Sequence, residues 1–487
     1  MQKKFLTNLA FILFVNLAIK PIYVLGIETR VQNHTQAANF GTYFAIFNFC
    51  FILTIILDFG ITNFNNRNIA QNNHLLTKHF SALFTLKMVL AMVYMVLIVI
   101  GGLLIGYDAR LMKLLLVVGF NMFLIFFINY MRSNLAGLHL FKTDSFISVL
   151  DRLILIVLCI VMLKTGIFRR PDGIMYFVYA QTFSYLTSAI TVFIIVLRKT
   201  HSFKIFWNLP FSLMILKKSL PFAILSLLMS SYNRIDTVMI ERILPSGSGK
   251  VTDGDVQSGI YAQAFRLLDS ANMIAFLTAG MLLPIFSRML KYKESVEALV
   301  KLISTLLITF ALVVGISCFF YSREFMDLIY VHYVNESAKI FGLIMLSFIA
   351  VSTTYIFGTL LTANGNLKQL NIMAAFGMVL NISLNFILIP VLHAYGSAIS
   401  SLITQFSAAI IQVIIAQRIF KFRVNYRLIN TFIMFTIGVI SINYAATIVL
   451  PFHWMINFVL MTMTCVAWAF VSGMISPKAI FRLLRYG

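Results

Sequence analysis

Residues 81–105 read SALFTLKMVLAMVYMVLIVIGGLLI and contain one charged side chain, Lys87. A helix of about 20 apolar residues crosses the hydrocarbon core of a bilayer. Lipid offers the backbone no hydrogen-bond partner, so such a crossing must be helical. The chain contains roughly fourteen such stretches in all, including this one. Of its 487 residues, 60% are hydrophobic and 11% are charged. The sequence therefore predicts an all-α polytopic membrane protein with about 14 transmembrane helices, within a range of 12 to 14.

The predicted crossings are separated by short polar breaks, and two of these breaks are weak, at 392–396 and 451–453. In chain order the crossings are 5–25, 40–63, 81–105, 111–130, 146–165, 174–197, 218–242, 258–287, 298–320, 337–362, 369–391, 394–417, 428–450 and 453–475.

The net charge of +22 is distributed unevenly between the two sides of the predicted membrane. When both termini are placed in the cytoplasm, the inside breaks hold 22 Lys and Arg residues and the outside breaks hold 10. This asymmetry follows the positive-inside rule and predicts cytoplasmic termini. The basic charge is therefore interpreted as topogenic, with anionic lipid as its partner, and no nucleic-acid partner is expected.

Several other classes of site are not supported by the sequence. The segment 245–250 reads PSGSGK, but Leu244 and Val251 stand where a phosphate-binding Walker A loop needs Gly and Ser or Thr. No break exceeds about twenty residues, so we expect no nucleotide-binding domain and no use of ATP. The four cysteines fall inside crossings and have no metal-ligand spacing. We expect neither an enzyme nor a metal or organic cofactor.

A short internal repeat predicts two related halves. The second crossing begins GTYFAIF at Gly41 and the eighth begins GIYAQAF at Gly259, with three identities at a fixed offset of 218 residues. The two crossings are six places apart in the order, an even number, so both halves would have the same orientation, as in transporters built from parallel repeats. The predicted division is a six-helix lobe at 1–200, a cytoplasmic connection at 201–217, a second lobe at 218–420, and two extra helices with a tail at 421–487.

In this layout the chain resembles the oligosaccharide flippase family of the multidrug/oligosaccharidyl-lipid/polysaccharide exporter superfamily. Four stretches carry the resemblance. They are GTY at 41–43 with DFGITNF at 58–64 and RNIA at 67–70; YNRID at 232–236 with GIYA at 259–262; ANG at 363–365; and 381–390 with GSAI at 396–399. The resemblance implies two six-helix lobes around a central cavity, and export of lipid-linked sugars.

Ionisable residues inside crossings are the candidate site residues, because each costs about 2.5–3.5 kcal/mol at mid-bilayer on insertion scales. Lys20, Arg234 and Arg266 are predicted in the outer half of the membrane, where a shared cationic cavity would accommodate them. Arg152 is a fourth candidate, although, like Lys87, it lies close enough to an inner end to reach water. The alternative for Arg266 is a local ion pair with a carboxylate three residues on. Candidates for proton or sodium coupling are Asp58, Asp151, Asp236 and Asp269.

These expectations combine into one predicted function. The chain would move an undecaprenyl-diphosphate-linked repeat unit from the cytoplasmic to the outer face of a bacterial inner membrane by alternating access, and other polysaccharide assembly proteins are candidate partners. Two alternatives stay open: a multidrug or organic cation antiporter of the same fold, and a membrane polysaccharide polymerase or acyltransferase. Lys20 disfavours the first, because organic cations suit an acidic cavity. Eight scattered His residues and the lack of a large outer loop disfavour the second.

Overall fold

The computed structural model describes residue 19 and residues 22–62, 75–138, 140–199, 207–245, 250–422, 425–449 and 451–474. Within these ranges every regular element is helical. The first crossing enters them as a π-helical segment, Ile22–Glu28. The α-helices of the first part of the chain are α1 Thr29–Thr35, α2 Ala37–Ile52, α3 Ile55–Asp58, α4 Leu75–Ile105, α5 Ala109–Gly137, α6 Phe141–Lys164, α7 Gly173–Leu197 and α8 Leu209–Ile243. They are followed by α9 Gly254–Lys291, α10 Glu297–Phe320, α11 Ser322–Ile329, α12 Val334–Ala363, α13 Leu367–Phe420, α14 Tyr426–Val449 and α15 Trp454–Val471.

Eleven of the described helical segments are long and apolar enough to cross a membrane. One of them, α13, has 54 residues and would measure roughly 80 Å at 1.5 Å per residue, enough for two crossings. Its backbone leaves the helical conformation at His393, where φ is 54° and ψ is −139°, three residues after Pro390. The weak break predicted at 392–396 is therefore confirmed, and the chain is a polytopic α-helical membrane protein.

The chain divides into two compact units, one ending at Gly259 and the other beginning at Ile260. In the first unit α2 packs against α5 and α8, and α7 packs against α5 and α6. An aromatic and aliphatic cluster holds α4, α5 and α7 together; in it the ring of Phe84 stacks on that of Phe193 with centroids 5.7 Å apart. The predicted lobe boundaries stay a prediction, because this division follows packing rather than the internal repeat.

The repeated glycines meet at a close crossing of α2 with the first turns of α9. A β-carbon added to Gly41 would lie 2.0 Å from the carbonyl oxygen of Asp255, and one added to Gly259 would lie 2.0 Å from that of Ala37. Residues 37 and 255, like 41 and 259, differ by the repeat offset of 218. The two segments thus contact each other through residues that the proposed repeat makes equivalent. The two-lobe repeat itself stays a prediction.

The second unit carries α14 and α15 on its surface as a helical hairpin. The two helices pack on α10 through a cluster that includes Val439, Met461 and Cys465. The contact within the hairpin is close, since a β-carbon added to Gly438 would lie 2.1 Å from the indole nitrogen of Trp468. The break predicted at 451–453 separates the two helices as expected.

Candidate functional site

The predicted site residues are distributed over both units. Arg234 and Asp236 lie on α8, and Asp151 and Arg152 lie on α6. The other candidates are Asp58 at the end of α3, and Arg266 and Asp269 on the part of α9 in the second unit. Lys20 lies outside the described residues, so its place in the cationic cavity stays a prediction.

Arg234 lies at the contact between α8 and α2. Its guanidinium carbon is 4.9 Å from the centroid of the Phe51 ring, a distance at which a cation is attracted to the negative face of the ring. One helical turn away, the Asn48 side-chain amide donates a hydrogen bond of 2.9 Å to the Thr237 hydroxyl. Arg234 and Thr237 are three apart on α8, as are Phe51 and Asn48 on α2, so the two contacts share one helix–helix face.

The α2 helix is interrupted directly beyond this contact. It ends at Ile52, and the chain turns at Leu53 and Thr54 before the single turn of α3. The Thr54 hydroxyl and backbone N–H both donate to the Phe51 carbonyl, at 2.6 and 3.1 Å. Leu53 and Thr54 keep right-handed helical angles, and the N–H groups of Ile56 and Leu57 donate to the carbonyls of Leu53 and Thr54. The interruption is therefore one tightened turn within a single crossing, and the Phe51–Arg234 contact lies directly before it.

Partly buried charged side chains, among them Arg152 on α6, lie near Tyr185 of the neighbouring helix α7. Tyr185 of α7 interacts electrostatically with Asp151, Arg152 and Glu28. Glu28 is 2% exposed and closes the π-helical segment before α1. The Ser184 hydroxyl donates to the Asp151 carbonyl and fixes α7 against α6. Tyr185 is thus near enough to Arg152 and to two carboxylates to interact with all three, and Arg234 lies on a different helix pair of the same unit.

Sequence reasoning missed Glu28. The predicted first crossing ended at residue 25, so a carboxylate at position 28 was assigned to a polar break. The helical backbone in fact continues to Thr35. The sequence is consistent with this continuation of the helix, because 26–35 contains no proline and no run of turn residues that would end a helix.

The expectation that Lys87 reaches water is wrong. Its side chain is 5% exposed and forms an ion pair with Asp58. It also donates to the Leu57 carbonyl at 3.3 Å and the Thr62 hydroxyl at 3.1 Å, and lies 5.2 Å from the Tyr130 ring centroid. Phe59 and Gly60 have φ of 45° and 77°, and this turn brings Asp58 and Thr62 to the ammonium group. Asp58, a candidate for ion coupling, is therefore already neutralised by a cation.

No group of three His, Cys, Asp or Glu side chains within the described ranges could hold a metal ion. What the first unit offers instead is guanidinium groups, an aromatic face and buried amides and hydroxyls. Such groups bind anions and polyhydroxy compounds through charge-assisted and neutral hydrogen bonds.

Comparison with solved structures identifies the fold. The lipid II flippase MurJ in its inward closed conformation matches with a TM-score of 0.71 over 96% of this chain and 98% of that one, at 12% identity. An inward-facing multidrug resistance MATE family transporter matches with a TM-score of 0.60 over 84% and 98%, at 15% identity. A MOP superfamily transporter from Pyrococcus furiosus matches with a TM-score of 0.61 over 85% and 95%, at 16% identity. At these identities the likeness shows the fold alone.

Sequence comparison gives the family. No curated protein matches the chain in sequence. The family model for polysaccharide biosynthesis proteins matches residues 5–290, more than half of the chain. The matched range contains the first unit from residue 5 onward, including Arg152, Arg234 and the α2 helix. The chain therefore belongs to the polysaccharide biosynthesis protein family.

Proposed function

We propose that this protein is a flippase for an anionic lipid-linked oligosaccharide. Its substrate would be an undecaprenyl-diphosphate-linked repeat unit, built on the cytoplasmic face of a bacterial inner membrane and moved to the outer face. The observation that carries the proposal is Arg234, a guanidinium held against an aromatic ring beside an interrupted helix, in a polysaccharide biosynthesis family.

The physical difficulty of the reaction is moving a diphosphate and its sugars past hydrocarbon. An arginine suits the diphosphate because its planar fork donates two parallel hydrogen bonds to phosphate oxygens and stays charged at any physiological pH. Arg152, Arg266 and Lys20 would add to a cationic path through the protein. The lipid tail would stay in the bilayer while the polar head crosses, and alternating exposure of the site to the two faces would complete the transfer.

The energy source follows from the sign of the cargo. An inside-negative membrane potential favours outward movement of an anion by about 2.3 kcal/mol per charge per 100 mV. Exchange for protons or sodium through Asp151, Asp236 or Asp269 would add a second driving force. Asp58 is the weakest of the proposed coupling groups, because Lys87 already neutralises it.

The test is a deletion strain complemented with variants. Deletion should leave lipid-linked repeat units on the inner face of the membrane and remove the surface glycan. Wild-type protein should restore export, whereas Arg234→Ala should fail to do so at normal protein abundance. Arg234→Lys should recover part of it, because a point charge replaces a two-pronged donor.

The same strain separates this proposal from the multidrug antiporter, with which the chain shares its fold. An organic cation extruder should leave the surface glycan intact when deleted and make the cells sensitive to cationic dyes. That pattern would replace the flippase assignment with the antiporter.

A further inference from the structure

A row of four phenylalanine rings lies along one face of α2. The row consists of Phe40, Phe44, Phe47 and Phe51, whose spacing of four, three and four residues keeps them on one side of a helix. Successive ring centroids are 6.4, 6.2 and 6.3 Å apart, with interplanar angles of 17°, 4° and 22°. The rings are therefore stacked, and the guanidinium of Arg234 lies at the Phe51 end of the stack.

Burial changes along this row. Phe40 and Phe44 are fully buried, whereas Phe47 and Phe51 are partly exposed. The buried end is explained by packing alone. The partly exposed end consists of two aromatic rings and the Arg234 guanidinium, beside the turn at Leu53 and Thr54.

Asn48 adds an unsatisfied polar group beside the exposed rings. Its side chain is 1% exposed and its amide nitrogen donates to Thr237. The amide oxygen of Asn48 has no hydrogen-bond donor among the described residues. A buried acceptor without a donor is unfavourable, and a ligand hydroxyl would satisfy it.

These groups match the parts of a sugar phosphate. A pyranose ring has an apolar C–H face that stacks on an aromatic ring, and hydroxyl groups at its edge that hydrogen-bond to amides. In a lipid-linked oligosaccharide the first sugar is bonded directly to the diphosphate. A ring platform and a phosphate-binding cation must then be neighbours, as Phe51 and Arg234 are at 4.9 Å.

We propose that Phe47 and Phe51 bind the first sugar ring of the substrate, with Asn48 accepting from one of its hydroxyls and Arg234 holding the adjoining phosphate. This inference rests on the proposed function and adds a sugar-binding site to it. The site discriminates a glycosylated lipid from the bare lipid diphosphate, which a cationic path alone does not.

The experiment measures binding of two lipids to the purified protein in nanodiscs. One probe is undecaprenyl diphosphate, and the other is undecaprenyl diphosphate bearing a single N-acetylglucosamine. Phe51→Leu should weaken binding of the glycosylated lipid by about tenfold and leave the bare lipid within about twofold. Phe51→Tyr should restore the wild-type preference. Arg234→Gln should weaken both lipids.

A matched control and three outcomes make the test decisive. Phe84→Leu removes a stacked ring of the same size from the α4–α7 cluster and should change neither affinity. An equal loss of affinity for both lipids in Phe51→Leu would show that Phe51 acts only through Arg234. Unchanged affinity for both lipids would show that the Phe51 ring only packs against its neighbours. Either result overturns the sugar site while the flippase stands. Failure of the wild-type protein to bind either lipid would overturn both proposals.

Discussion

The buried ion pair between Lys87 and Asp58 allows the stability cost of an unpaired charge in this protein to be predicted. The Lys87 side chain is 5% exposed and that of Asp58 is 16% exposed, so Lys87 depends more on its partner for solvation than Asp58 does. Removing one member of a buried ion pair leaves an uncompensated charge and typically costs 3–5 kcal/mol. Replacing both members with apolar residues is often neutral.

We therefore predict an asymmetric response to substitution. Asp58→Ala leaves the more deeply buried charge and should destabilise the protein by about 3 kcal/mol or more. Lys87→Met should cost less, because the remaining carboxylate reaches some water. The double variant Asp58→Ala with Lys87→Met should recover most of the loss. Thermal unfolding in detergent measures all three. A double variant no more stable than Asp58→Ala would contradict the account of the pair.

For Arg234, the position in its helix could be predicted from the sequence, but the contact partner could not. Its depth on a helix could be counted from the sequence, and it lies on α8 as expected. Its aromatic partner could not be predicted, because Phe51 is 183 positions away and no local pattern pairs the two helices. The exposure of Lys87 was predicted wrongly for the same reason. Counting residues from the helix end gives the depth of Lys87, but the turn at Phe59 and Gly60 supplies an ion-pair partner that depth does not show.

Among the helices, the crossing of α2 and α9 is the closest backbone approach that involves the internal repeat. Glycine allows this approach, because the β-carbon of any other residue at position 41 or 259 would lie 2.0 Å from a backbone carbonyl oxygen of the facing helix. A backbone obstacle of this kind cannot rotate aside as a side chain can, so the helices would have to separate.

Gly41→Ala and Gly259→Ala should each lower the melting temperature and the abundance of the protein. Gly280→Ala is the control, because it lies within the same helix as Gly259 and a β-carbon there would meet nothing within 4 Å. It should be neutral or stabilise by up to about 1 kcal/mol through helix propensity. If Gly41→Ala and Gly280→Ala behave alike in thermal unfolding, the crossing is not as tight as described.

The elements could be predicted from sequence to different degrees. Long apolar runs located the crossings, and the short break predicted at 392–396 contains the interruption that occurs at His393. The end of the first crossing was placed too early, because the polar residues from Glu28 to Thr35 resemble a loop by composition. They are helical because tertiary packing buries Glu28, Val31 and Gln32. Composition does not report such packing.

For the whole molecule, the charge asymmetry predicts which face each connection lies on. The connection between α8 and α9 should be outside, and Val251 within it is 41% exposed. Val251→Cys, in a variant lacking the four buried native cysteines, should react with an impermeant thiol reagent in intact cells. Labelling that requires lysis would reverse the topology and with it the direction of transport.

The central claim is that the protein moves a lipid-linked oligosaccharide across the membrane and uses Arg234 to do so. The most direct measurement places purified protein in sealed vesicles with a lipid-linked oligosaccharide and follows its appearance on the opposite face with an impermeant glycosidase or lectin. Wild-type protein should make the inner-leaflet pool accessible within the assay, and Arg234→Ala at the same protein density should leave it protected, as in empty vesicles. Equal transfer by both proteins would contradict the role of Arg234, and no transfer by the wild-type protein under an imposed potential or ion gradient would contradict the flippase itself.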